Sequence, residues 1–99
     1  MKAAKIHPLA DEEMFQASEY YKNKRPGYGE KFRVEINRLI DQIEQAPARF
    51  RHFKGAYQRN IAIGFPYAVV YKEFPDYILI VAVMHMHRKP NYWMDRTTS

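Results

Sequence analysis

The sequence predicts an α+β fold. An N-terminal antiparallel helix hairpin is expected to pack on a three- to four-stranded, mainly antiparallel sheet, followed by a short C-terminal helix. Three observations carry this expectation. Apolar residues recur at helical spacing through the first 45 positions. After residue 56 the chain turns to β-branched and aromatic runs separated by Gly/Pro turns. The charge changes along with the pattern: 8 Lys/Arg face 8 Asp/Glu through Glu44, whereas Gln45–Ser99 holds 8 against 3.

The first helix is expected to begin at Pro8, whose fixed φ suits a first helical position. Asp11, Glu12 and Glu13 then meet the positive end of the helix dipole. Ala10, Met14, Ala17 and Tyr21 recur at spacings of four and three and mark one apolar face. Arg25-Pro26-Gly27 ends the helix, since proline disfavours helical geometry in the residue before it. A second helix is expected over Tyr28–Gln45. Phe32, Ile36, Leu39, Ile40 and Ile43 form its stripe, and Ala46-Pro47 closes it. A short connection between two amphipathic helices implies an antiparallel hairpin.

Tyr57–Ile63, Tyr67–Phe74 and Tyr77–Met86 read as strands of an antiparallel meander, divided by Gly64-Phe65-Pro66 and Pro75-Asp76. The last run is apolar on both faces, as in a covered strand. In regular extension it would put His85 and His87 on one side with Tyr77, Leu79, Val81 and Val83. Lys5-Ile6-His7 is a candidate edge strand, and Asn91–Arg96 a last helical turn after Pro90.

The whole chain, 1–99, is expected to be one domain, a usual size for a single core. It contains no cysteine, which excludes disulfides, thiolate zinc sites and a cysteine nucleophile. The stretch Met1–Pro8 lacks an apolar core of signal-peptide length, and Ile78–Met84 is too short to span a bilayer. A cytoplasmic protein that makes no membrane contact is therefore expected. The net charge of +5 falls in the second half, with no acid between Gln45 and Lys72. Such a surface attracts a polyanion or an acidic protein.

In this order of elements, several stretches resemble the RelE/ParE superfamily of toxins, known as plasmid stabilisation proteins. They are His7-Pro8 before Ala10-Asp11-Glu12-Glu13, the pair Tyr20-Tyr21, and Arg25-Pro26-Gly27-Tyr28-Gly29 ahead of Phe32. Pro47-Ala48-Arg49-Phe50, Phe65–Tyr71 and Ala82–Trp93 continue the likeness over nearly the whole chain. The resemblance is closest to ParE-like members. It implies the toxin of a type II toxin–antitoxin (plasmid stabilisation, or addiction) module. It also implies a cognate acidic antitoxin whose amphipathic segment wraps the basic sheet and the hairpin. The oligomeric state is open between a homodimer and a hetero-oligomer with the antitoxin. ParE-like members inhibit DNA gyrase, whereas RelE-like members cleave messenger RNA on the ribosome. Fold alone does not choose between the two.

Arg49, Arg51, His52, Lys54 and Arg59 form a cationic run leading into the first meander strand. With Arg88 they are the candidate target-binding or nucleic-acid-binding residues. In a ribonuclease they would hold phosphates and the charge of the transition state; in a gyrase inhibitor they would pair with carboxylates. Under the ribonuclease alternative, His85, His87 and Tyr92 are the candidate catalytic groups, the histidines because they titrate near neutrality. Tyr92 is also a candidate for stacking on a base, and Trp93 a packing anchor. His85-x-His87 lacks a fixed third ligand, so no metal site is expected, nor any cofactor. RelE-like ribonucleases commonly carry an arginine after the tyrosine of the second meander strand. Here Tyr67 is followed by Ala68, which favours the gyrase reading and leaves Arg59 as the nearest substitute.

Overall fold

The structure, a computed structural model, describes residues 2–88 and 91–97. Its elements are β1 (Ala4–Ile6), α1 (Pro8–Lys24), α2 (Tyr28–Gln45), a 3-10 turn (Pro47–Arg49), β2 (His52–Lys54), β3 (Tyr57–Ile61), β4 (Tyr67–Glu73), β5 (Ile78–His85) and a second 3-10 turn (Met94–Thr97). The sheet has five strands in the order β1-β5-β4-β3-β2, all neighbours antiparallel except β1 with β5.

Both helices occupy the expected spans, and their physical causes are visible. The His7 imidazole caps α1 by accepting the Leu9 N–H, and Pro8 fills the first turn. Gly27, at φ 80, supplies the left-handed step into α2 that most side chains resist. The helices close tightly at Gly29, where a Cβ would sit 2.4 Å from the Ser18 carbonyl oxygen. The α2 stripe of Phe32, Ile36, Leu39, Ile40 and Ile43 is wholly buried against Val69, Tyr71, Ile78, Ile80 and Val83. Tyr21, Phe32, Phe65 and Tyr67 close one end of this layer as aromatic neighbours, edge-on except for the tilted Tyr21–Phe32 pair.

Four expectations need correction. The sheet has five strands, because His52-Phe53-Lys54 pairs with β3 where a loop was expected. Three residues with two cationic or polar members carry no strand signal; tertiary packing holds them, with Phe53 set against Trp93. The edge strand runs Ala4–Ile6 rather than Lys5–His7, since His7 is committed to capping α1. The terminal helix is only a 3-10 turn, and Pro90 lies outside the described residues.

The fourth correction concerns β5. Its register against β4 slips so that Val70 faces Ala82 while Tyr71 faces Ile80, leaving Val81 as an extra residue. Regular alternation breaks there. Ile78, Ile80 and Val83 face the helices, whereas Val81, Ala82 and Met84 face the opposite side. His85 therefore follows Val83 on the helix side, away from Leu79 and Val81. His87 lies beyond the strand, in a turn.

A second core covers the face away from the helices. Trp93, fully buried, sits on Tyr57, Ala68, Val70, Val81, Ala82 and Met84. Its indole N–H donates to the Met84 thioether at 3.3 Å. No helix among the described residues is long and apolar enough to cross a membrane.

Candidate functional site

The candidate residues fall into two groups. The first lies at the β2 edge of the sheet. Here the 3-10 turn Pro47–Arg49 gives way to β2, which folds back on β3 with His52 opposite Gln58 and Lys54 opposite Tyr57. The hairpin is anchored from within: the Gln58 amide donates to the Pro47 and Phe50 carbonyls at 2.8 Å each. The Asn60 amide likewise reaches the Leu39 carbonyl and the Gln42 side chain of α2. Those two buried amides hold α2's exit and the edge hairpin as one unit.

Arg49, Arg51, His52 and Lys54 are exposed on this edge, and Arg59 is half-buried beside them. None forms a salt bridge among the described residues; the three bridges found there join Lys2 to Glu73, Arg38 to Glu35 and Arg96 to Glu13. Several cations lie instead over aromatic rings. The Arg59 guanidinium stands 4.5 Å from the Phe53 centroid, Arg49 5.3 Å from Phe50, and Lys72 5.7 Å from Tyr57. Arg59 pairs with Val70 and Ala68 with Ile61, so Arg59 shares the Ala68 face but sits two residues along the strand.

The second group lies where β5 ends. His85 packs against Tyr67 at 5.0 Å, and Tyr67 packs against Phe32 of α2 at 5.0 Å, which fixes His85 on the helix side. Its Nδ1 accepts the His87 backbone N–H at 3.1 Å. The two imidazoles are 5.4 Å apart. Arg88 is exposed and borders a shallow cleft of about 190 Å³ formed with Glu13, Tyr20, Tyr67 and Val83.

Tyr92 is not an open stacking platform. The guanidinium groups of Arg88 and Arg96 stand 5.3 and 5.1 Å from its ring centroid. Its hydroxyl is buried without a well-formed hydrogen bond among the described residues. Burial, followed by the neighbouring Glu13 carboxylate, pushes its pKa above the ordinary phenol value. Tyr67 and Tyr71 are raised mainly by burial too. A phenol shifted this way stays protonated at neutral pH and makes a poor general base.

The two groups do not converge. β2 is three strands from β5, roughly 14 Å at ordinary strand spacing. Arg59 is on the Trp93 side of the sheet and His85 on the helix side. The expected continuous basic sheet face is interrupted as well, because the tail lies across it. Among the described residues no three His, Cys, Asp or Glu side chains are grouped to hold a metal.

Sequence reasoning missed the residue that ties these parts together. Glu13 accepts the Val83 N–H at 3.0 Å and both ends of the Arg96 guanidinium, while Arg96 also donates to the Val81 carbonyl at 2.9 Å. This pair occupies backbone groups of β5 beyond the reach of β1 and fastens the tail to α1. The available signal was positional: Glu13 lies three residues after Ala10 and four before Ala17, beside the inward stripe.

A helix hairpin on a five-stranded sheet, with a basic edge and a tail folded over the far face, defines a small class of α+β domain. A solved structure described as the chromosomal ParDE TA system from P. aeruginosa shares this fold at a TM-score of 0.78, with 12% identity, over 88% of this chain and 98% of that one. Toxin ParE2 of Mycobacterium tuberculosis, in strains CDC 1551 / Oshkosh and H37Rv, is 27% identical over 92 residues, 88% of this chain and 84% of the relative. The family model of the ParE toxin of type II toxin–antitoxin system, parDE, matches residues 4–90. The chain belongs to the ParE toxin family of type II toxin–antitoxin systems.

Proposed function

We propose that this toxin disables DNA gyrase by contact, with no covalent chemistry of its own, and that an acidic cognate antitoxin neutralises it. One observation carries the gyrase reading over message cleavage. His85 lies on the helix side where β5 ends, whereas the cluster of Arg49, Arg51, Lys54 and Arg59 lies at the β2–β3 edge with Arg59 on the opposite face, so Arg88 alone of the candidate cations stands beside the histidines. A ribonuclease needs both within reach of one phosphodiester. The half-buried Tyr92, held protonated by burial and the Glu13 carboxylate against the opposing effect of two guanidinium groups, adds to the same conclusion.

The antitoxin is supported by the net charge of +5 and by Leu9, Phe15 and Val34, large apolar side chains exposed on α1 and α2. An amphipathic acidic segment lying along the hairpin would cover them, its ordering cost offset by that burial.

The test compares two assays of the purified protein. Supercoiling of relaxed plasmid by gyrase should be blocked, while messages in a translating extract stay intact. Specific message cleavage with normal supercoiling would instead establish the ribonuclease alternative.

A further inference from the structure

We propose that the β2–β3 edge binds the phosphate backbone of duplex DNA directly, independently of any protein partner. Lys54 and Arg59 lie on the β2–β3 hairpin and Arg49 and Arg51 on the segment leading into it, with no acidic residue anywhere between Gln45 and Lys72 in the sequence. None is engaged in a salt bridge among the described residues. Three of the four are arginines, whose planar fork grips phosphate oxygens bidentately. The hairpin presenting them is held rigid by the Gln58 amide, so little order has to be gained on binding.

Two features select a nucleic-acid backbone over the other polyanions. A stable protein interface centres on a buried apolar or aromatic anchor. From Arg49 to Arg59 no large apolar side chain is exposed; those that are lie on β1, on the helices or from Ile61 onward. Ile61, at the end of β3, is the one large apolar side chain exposed on the two strands among the described residues, so the edge offers charge without an aromatic or clustered anchor. A single-strand platform, in turn, requires open ring faces on which bases stack. Here Phe50, Phe53 and Tyr57 each carry a cation over the ring. What remains is a cluster of cations suited to phosphates, a contact without sequence preference.

The reading goes beyond gyrase inhibition and is tested apart from it, on DNA alone. Fluorescence anisotropy would follow the purified full chain on a labelled duplex of arbitrary sequence between 50 and 200 mM salt. Four phosphate contacts predict an affinity loss of roughly 10²-fold over that range. The double variant Arg51→Ala/Lys54→Ala should lower the slope of log affinity against log salt by about 2. The charge-matched double variant Lys31→Ala/Arg33→Ala, on exposed positions of α2, should leave it unchanged. Circular dichroism checks that each variant is folded. Absence of binding at 50 mM salt, or an equal loss in both double variants, overturns the proposal. Displacement of the duplex by polyglutamate at equal charge concentration also overturns it, because the edge then selects an acidic protein. If DNA binding fails while supercoiling is still blocked, this inference falls alone and the proposed function stands.

Discussion

Three residues do more than their position in the sequence suggests. Trp93 is fully buried and is the centre of the second core. Its replacement by alanine should cost roughly 3–5 kcal/mol, measured by urea unfolding, since among the described residues of the tail it is the one large fully buried side chain. A cost near zero would mean the tail is not seated on the sheet. Gly29 is a close-approach site. Gly29→Ala forces a methyl group to 2.4 Å from the Ser18 carbonyl oxygen, where helices must part. A loss of about 1–3 kcal/mol is expected by the same measurement.

Glu35 acts through its charge. The Arg38 side chain, first, and the Ile63 N–H hold its carboxyl below the ordinary value of 4.5, against the opposing effect of burial. A pKa lowered by folding contributes stability above the unfolded value, lost as pH falls through the folded one. Wild-type stability should therefore fall more steeply below pH 4.5 than that of Glu35→Gln. Parallel acid titrations of the two proteins would remove this explanation.

Among the elements, legibility followed the strength of one-sided patterning. Helix α2 was readable to its end residues because five buried side chains share one stripe and Pro47 closes it. Strand β2 was not, because three residues held by pairing with β3 and by the packing of Phe53 leave no period to detect. The bulge at Val81 was hidden for the opposite reason. β5 is apolar on both faces, so no alternation marks which side each residue takes, and the placement of His85 followed the wrong side. The cations of the candidate site were readable as residues, but their separation from His85 depends on sheet order. The tail is an element of the same kind, positioned by Glu13 from far away in sequence. Glu13→Ala leaves Arg96 and the Val83 N–H without their partner in a site where both side chains are at most 15% exposed. A loss of roughly 3–5 kcal/mol is expected. Glu13→Ala combined with Arg96→Ala should cost less than the sum of the single changes. Strict additivity would show that the two do not act together.

At the scale of the molecule, the two faces of one sheet are given to different tasks. The helices cover one face, and their exposed Leu9, Phe15 and Val34 offer an apolar surface to a partner. The tail covers the other and leaves the β2–β3 edge as the open cationic surface. The most direct measurement is supercoiling of relaxed plasmid by purified gyrase, with wild-type toxin and with the double variant His85→Ala/His87→Ala. Contact inhibition predicts that both block supercoiling at concentrations within about twofold of each other, a difference of only ~0.4 kcal/mol. Loss of inhibition in the histidine variant while it stays folded, or normal supercoiling with the wild-type chain, would contradict the account.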